Sequence, residues 1–229
     1  MEFTKLSNRL DLVSSFVPAG ARLLDVGSDH AYLPIALLQE GKIEAAIAGE
    51  VVEGPYQSAL QNVADNGLED KIEVRLANGL AAFEPTDGIS CITIAGMGGR
   101  LIADILAAGL DKLANVSRLV LQPNNREDEL RAWLVEHDFR IVDEAILEEN
   151  EKFYEILVVE QGSQELTAKE LRFGPYLMRE QAPAFVQKWS KEVEKLAFAL
   201  EQVPVENQSA RASLEERISQ IKEVLHVSK

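Results

Sequence analysis

Leu23-Leu24-Asp25-Val26-Gly27-Ser28-Asp29-His30, followed by Ala31-Tyr32-Leu33-Pro34-Ile35-Ala36-Leu37-Leu38, is an apolar run that ends in an acid, a glycine and a polar turn, and then takes up a helical pattern. This order predicts a strand, a tight turn and a helix N-terminus. In doubly wound α/β folds a nucleotide-like ligand binds at this crevice, beyond the carboxyl end of the first strand. The rest of the chain repeats the alternation. Strands are expected at 22–26, 45–50, 72–76, 89–95, 117–122, 139–146 and 153–160, and helices at 31–40, 54–65, 99–108 and 126–136. Short apolar runs separated by helical periods imply parallel strands joined by crossovers.

A further helix is expected over 3–17, where Leu6, Leu10, Val13 and Val17 recur at threes and fours until Pro18-Ala19-Gly20 stops the pattern. The last two strands have no helix between them, so 139–160 reads as a hairpin closed around Glu148-Glu149-Asn150, with one antiparallel strand at the sheet edge. The expected fold is α/β: a Rossmann-like, doubly wound, seven-stranded sheet, mostly parallel with one antiparallel edge strand. Beyond Glu160 the pattern changes. Gln161-Gly162-Ser163 is linker-like, and 166–181 reads as a connecting helix. Residues 184–203 and 208–227 each carry apolar residues at spacings of three and four, separated by Pro204 to Asn207. They predict an antiparallel helical hairpin with a coiled-coil-like seam. The expected division is a catalytic domain at 1–161 and this C-terminal appendage at 162–229.

The chain has 229 residues and a single cysteine, Cys91, so neither an intrachain disulfide nor a thiolate metal site is expected, and no metal is assigned. No apolar run is long enough to span a bilayer, and Met1 to Leu6 lacks the order of a signal peptide, so a cytoplasmic location away from membranes is expected. The net charge of −15 argues against general phosphate-driven binding of nucleic acid. Its distribution softens the argument: residues 161–229 hold 10 basic and 10 acidic residues, so the whole excess lies in residues 1–160.

The first turn departs from the dinucleotide fingerprint, with Asp29 and Tyr32 where glycines are required. Asp29 would repel a pyrophosphate. A cofactor with an ammonium-bearing tail would instead welcome Asp25 and Asp29, and S-adenosylmethionine has such a tail. The competing reading makes Asp29 a helix N-cap. Glu50 ends the second strand where a ribose diol is held in such folds, the alternative being a solvated acid. Asn78-Gly79 follows the third strand and either caps an adenine ring or is a plain loop. Gly96-Met97-Gly98-Gly99-Arg100 ends a central buried strand and leaves the backbone open to a ligand, unless it is merely a floppy loop. Asn124 and Asn125 lie at the same rim, with helix capping as the alternative. Cys91, Trp133 and Trp189 read as core; His137 and His226 read as surface residues.

These motifs together resemble a known group. D-V-G-S-D-H-A-Y-L-P from Asp25, A-G-E-V-V-x-G-P-Y from Ala48, I-A-G-M-G-G from Ile94, Q-P-N from Gln122 and F-G-P-Y-L from Phe173 are similar to the bacterial tRNA adenine-N1 methyltransferases that modify position 22, a class I S-adenosylmethionine-dependent family. The resemblance covers nearly the whole chain. It implies cofactor contacts at Asp25, Gly27, Asp29, Glu50 and Gly79. The neighbouring Ser28, Val51, Asn78, Ala95, Gly96 and Met97 are assigned with them. The Gly96–Gly98 segment lies where many nucleic-acid aminomethyltransferases carry an N-P-P-Y type motif, and its departure from that motif fits methylation of a ring nitrogen. Asp29, Tyr32 and His30 are the expected catalytic group, with packing at the helix start as the alternative for Tyr32. Gly98, Gly99, Arg100, Asn124, Arg9 and Lys188 are expected to meet the substrate, tRNA. The hairpin is read equally as an RNA-binding arm or as a stabilising or weakly dimerising appendage, so the chain is expected as a monomer or weak dimer. The rival functions are a class I methyltransferase acting on a small molecule or protein, and a non-catalytic cofactor-binding interaction module.

Overall fold

β1 (Ala21–Val26) is buried along its length except at Arg22, as a strand flanked on both sides must be. Leu23–Val26 pair in parallel with Ala46–Gly49 of β2 (Ile43–Glu50) on one side and with Cys91–Ile94 of β4 (Cys91–Met97) on the other. The winding therefore reverses at β1, which opens a crevice beyond the tips of β1 and β4. A computed structural model describes residues 4–226. With β3 (Ile72–Leu76), β5 (Arg118–Pro123), β6 (Phe139–Glu149) and β7 (Lys152–Gln161) the sheet has seven strands in the order β3-β2-β1-β4-β5-β7-β6. Helices α1 (Asn8–Ser15), α2 (Tyr32–Gln39), α3 (Glu53–Asp65), α4 (Gly99–Ala107) and α5 (Glu127–Glu136) cover it. Two apolar cores result, one around Ile92, Ile94 and Leu106, the other around Leu23, Leu37 and Val120.

The expected helix over 3–17 is confined to Asn8–Ser15, because Ser7 caps it by accepting from Leu10 N–H; Phe3 lies outside the described residues. The antiparallel pairing expected at the sheet edge is present, between β6 and β7. β7 is the strand antiparallel to its neighbours, and it sits one place in from the edge, between β5 and β6. Its run Glu155–Val159 is buried throughout, whereas β6 is buried only in part, so β6 takes the edge and runs with β1 to β5.

The connecting helix expected at 166–181 is two short helices, α6 (Ala168–Phe173) and α7 (Pro175–Glu180). Pro175 cannot donate to a continuing helix. Gly174 (φ +84°) has no room for a side chain, since a Cβ there would stand 2.7 Å from Glu144 Oε2 and 2.8 Å from Arg131 Nη2. Those atoms belong to a buried ion cluster. The Arg131 guanidinium pairs with Glu144 and Glu155, Glu144 Oε2 also accepts from Tyr176 N–H, and Lys188 Nζ reaches Glu155 at 2.7 Å and Glu127 at 3.0 Å. Lys188 comes from α8 (Pro183–Gln202), which with α9 (Gln208–His226) forms the helical hairpin; Val227 and the side chain of His226 are outside the described residues. Phe173, Phe185, Trp189, Leu196 and Ile221 share a third core with Ile146 of β6. The hairpin is thus packed on the outer strands by shared apolar area and by one buried charge cluster, either side of the expected boundary at 161/162.

Candidate active site

Past β1 the chain makes a turn in which Gly27, Asp29, His30 and Ala31 all have positive φ. Three consecutive non-glycine residues in the left-handed region store backbone strain, which persists where the surroundings impose it. Asn62 of α3 donates to the His30 carbonyl at 3.0 Å, and Ile35 N–H bonds to Ala31 O. Ala31, with no side-chain cap, occupies the N-cap of α2, so Asp29 does not cap the helix. Its carboxylate is 84% exposed, with His30 Nε2 at 3.4 Å. The His30 and Tyr32 rings lie 5.4 Å apart, and Tyr32 is 43% exposed at the rim.

Asp25 does not share that role. It is buried, its two carboxylate oxygens accept from Ser28 Oγ and Thr93 Oγ1, each at 2.6 Å, and burial pushes its carboxyl above the usual carboxylate range. The side chains of Asp25 and Ser28, expected at the cofactor, bond to each other and, for Asp25, to Thr93, and hold the turn from behind, since hydroxyl donors stabilise an acid that has left water. Thr93, unmarked in the sequence reading, completes this support.

Glu50 at the tip of β2 is 5% exposed, and its Oε1 has no hydrogen-bond partner. It is therefore not a solvated strand-end acid. Burial pushes its carboxyl up, the Asp29 backbone N–H pulls it back, and the charges of Asp25 and Asp29 push it further up. A buried acceptor without a donor points to a missing partner. Beside it Val51 is 58% exposed. Val51, Leu76, Ala77 and Asn78 border an open depression of about 450 Å³ at the tips of β2 and β3. Asn78 is exposed on this side, while Gly79 is buried beneath Ile105.

The β4 rim is no floppy loop. Gly96 interrupts the β4–β5 register between Ala95 and Met97, as a bulge does, and Ala95 before it is half-buried. Gln122, fully buried, accepts from Gly96 N–H at 2.9 Å; Asn124 Nδ2 donates to Gly96 O at 2.7 Å, and Asn124 N–H to Met97 O at 2.7 Å. Asn124 thus ties the rim and does not cap α5, whose N-cap is Arg126. Half-buried Met97 lies over Gly27, and Gly98 borders Asn125. Gly99, expected at the substrate, is buried, and a Cβ there would stand 2.4 Å from Arg126 O. It is glycine because α4 begins against the start of α5. Of two expected RNA contacts, Lys188 is held in the buried cluster, while Arg100 is exposed and pairs with Glu129 at the surface. Cys91 is core, its thiol pushed up to about 12 by burial. Among the described residues no group of three or more His, Cys, Asp or Glu is placed to hold a metal ion, and no helix is long and apolar enough to cross a membrane.

From Asn124 the rim opens into a cleft of about 770 Å³ between the β6–β7 hairpin and α8. Seven basic side chains line it against three acidic ones, with Phe153, Tyr154 and Trp189 among them. In a chain of net charge −15 this is a local reversal of sign.

Residues 23–223 match the family model of the tRNA (adenine(22)-N(1))-methyltransferases, TrmK. This chain belongs to the TrmK family. The tRNA (adenine(22)-N(1))-methyltransferase of Bacillus subtilis (strain 168) is 39% identical over 98% of this chain and 99% of its own length. Sp1610 of Streptococcus pneumoniae, solved in complex with S-adenosyl-L-methionine, superposes with a TM-score of 0.90 at 66% identity, covering 97% of this chain and 100% of that one. TrmK of M. capricolum, solved with S-adenosyl-homocysteine, does so with a TM-score of 0.84 at 28% identity, over 98% and 99%. TrmK membership accords with the Rossmann-like sheet and the crevice at β1 and β4.

Proposed function

We propose that this protein transfers the methyl group of S-adenosylmethionine to N1 of adenine 22 in tRNA. The observation that carries the reading is the pair of carboxylates at the crevice: Glu50, buried with an oxygen lacking a donor, and Asp29, exposed at the rim beside His30. These residues fit the cofactor. Glu50 would accept from the ribose hydroxyls, the exposed Val51 and Asn78 would flank the adenine, and the Gly27 turn with Gly96 and Met97 would border the amino-acid tail. When bound, the cofactor supplies an electrophilic methyl group on a sulfonium.

The protein's own part is alignment and charge. Adenine N1 has an in-plane lone pair and needs no deprotonation before attack, so holding it in line accounts for much of the acceleration. Methylation leaves the ring cationic, and a carboxylate fixed beside it stabilises that developing charge. Asp29 is the group placed to do so. Its carboxylate stands at the rim on a backbone locked in an unusual conformation, free of capping duty. N1 is occupied in a Watson–Crick pair, so the base must be presented unpaired or extruded and held by stacking. Tyr32 and His30, adjacent rings at the rim, are suited to that. The basic cleft supplies the polyanion-binding surface that the overall charge denies, and it speaks against a small-molecule acceptor. The reading assigns residues 1–161 to catalysis and makes the helices beyond them one wall of the RNA cleft, in a cytoplasmic protein acting as a monomer or weak dimer.

The test is incubation with S-adenosylmethionine and unmodified tRNA, followed by digestion and mass spectrometry of the nucleosides. 1-Methyladenosine should appear with wild type and vanish with Asp29→Ala, while circular dichroism stays unchanged; Asp29→Asn, which tolerates the left-handed backbone, separates charge from conformation. Near wild-type turnover by both variants would remove Asp29 from the mechanism. Cofactor binding without RNA methylation would move the acceptor to another class of molecule.

A further inference from the structure

Arg9 of α1 has no acid at ion-pair distance among the described residues, and it stands at the acceptor rim. Arg75, Arg100, Arg118, Arg126 and Arg131 each face a carboxylate. Half-buried Arg9 has, among the described residues, only neutral partners: Gln122 Oε1, 2.7 Å from its Nη1, and the Tyr154 ring, with the guanidinium carbon 5.6 Å from the centroid. It lies against the acceptor rim, since a Cβ on Gly96 would stand 3.6 Å from its Nη1. A guanidinium partly removed from water without a counter-charge is costly unless a ligand supplies one. The methylated base cannot, because its ring becomes positive during transfer and a cation against it would raise the barrier. The anion that a nucleotide brings is its phosphate, which a planar guanidinium fork matches well.

Gln122 determines where that fork stands. Its Oε1 accepts from both Arg9 Nη1 and Gly96 N–H, and its Nε2 donates to Pro123 O at 2.9 Å and Asn124 Oδ1 at 3.1 Å. All four hydrogen-bonding positions of this buried amide are used, so it cannot turn without breaking the rim. We infer that Arg9 binds the phosphate of the nucleotide whose base is methylated, and that Gln122 is the positioning residue that fixes this cation relative to the Gly96 rim. The inference rests on the reading of the protein as a tRNA methyltransferase. It adds an N-terminal helix to the acceptor side and a ruler between phosphate and target base.

The experiment measures tRNA binding and kcat/KM across a salt series. Arg9→Gln should lower both by about tenfold at low salt and make the log–log salt dependence shallower by about 0.7–0.9, the share of one phosphate. Arg9→Lys should keep the slope and lose part of the affinity. Gln122→Leu should flatten the slope as Arg9→Gln does, and adding Arg9→Gln to it should change little further; Gln122→Glu, which keeps accepting oxygens, should restore the dependence on Arg9. S-Adenosylmethionine affinity and melting temperature should stay near wild type in the Arg9 variants. An unchanged slope in Arg9→Gln, additive effects of the two substitutions, or a loss that follows cofactor affinity and melting temperature downward would each overturn the inference. If wild type binds tRNA but forms no 1-methyladenosine, the proposed function fails while the binding slopes still decide on Arg9. If wild type does not bind tRNA, both fall.

Discussion

Beside Asp25 with its two hydroxyl donors, the molecule buries carboxylates around Arg131 and at the tip of β2, and treats these two places oppositely. Around Arg131, Glu144 and Glu155 are surrounded by donors: a guanidinium, Lys188 and the Tyr176 N–H. At the tip of β2, Glu50 is equally hidden and one of its oxygens has no partner. A satisfied buried charge cluster joins elements together. An unsatisfied one is a cost carried by the empty protein that a ligand can relieve. The contrast separates architecture from function without reference to sequence motifs.

The strongest way to break it is Arg131→Met. Two carboxylates would be left buried without their main counter-charge, and stability should fall by about 3–5 kcal/mol. Urea denaturation would measure this, and cofactor affinity per folded molecule should hardly change. Glu50→Gln should do the reverse. Cofactor affinity by calorimetry should drop by about 10- to 100-fold, as expected when charge-assisted hydrogen bonds worth about 1.5–3 kcal/mol are lost. The unfolding midpoint at neutral pH should not fall. If Glu50→Gln proved as destabilising as Arg131→Met, the distinction would collapse. The smallest effect is the pH dependence. Burial raises the Glu50 carboxyl in the folded protein, so its unfolded form ionises first as pH rises. Stability is therefore lost, not gained, as pH climbs from the ordinary glutamate range through the raised value. Cofactor binding needs the carboxylate and should weaken as pH falls toward that same value, sooner than an ordinary glutamate would allow. A flat profile in wild type, matching Glu50→Gln, would exclude Glu50 from binding.

The framework was legible in sequence where periodicity had one interpretation. β3 matches its expected range at 72–76, and the turn after β1 falls where the glycine and acids place it. Legibility ended where side-chain direction decides. Asp25 and Asp29 stand four residues apart on one turn; one closes inward on two hydroxyls and the other faces solvent, and no spacing rule separates them. Arg131 sits within Leu130-Arg131-Ala132-Trp133-Leu134, and only long-range partners explain its complete burial. Gln122 enters the sequence reading only as the start of the Q-P-N motif, yet its buried amide is an internal strut. Gly174 and Pro175 stand inside the expected helix 166–181, and the ion cluster beneath Gly174 is what leaves no room for a side chain at the break.

The insertion of β7 between β5 and β6 also bears on how the chain must be made. β6 leaves the ribosome before the strand that will attach it to the sheet, while β5 still offers an unpaired edge in the same orientation. Direct pairing of β6 on β5 would be a parallel contact, the slightly less stable kind per residue. The tight turn at Asn150–Glu151 instead lets β6 and β7 zip together as a local hairpin, which then docks as a unit onto β5. Synthesis thus runs ahead of assembly at this edge, and the nascent sheet stays open until Gln161 has emerged.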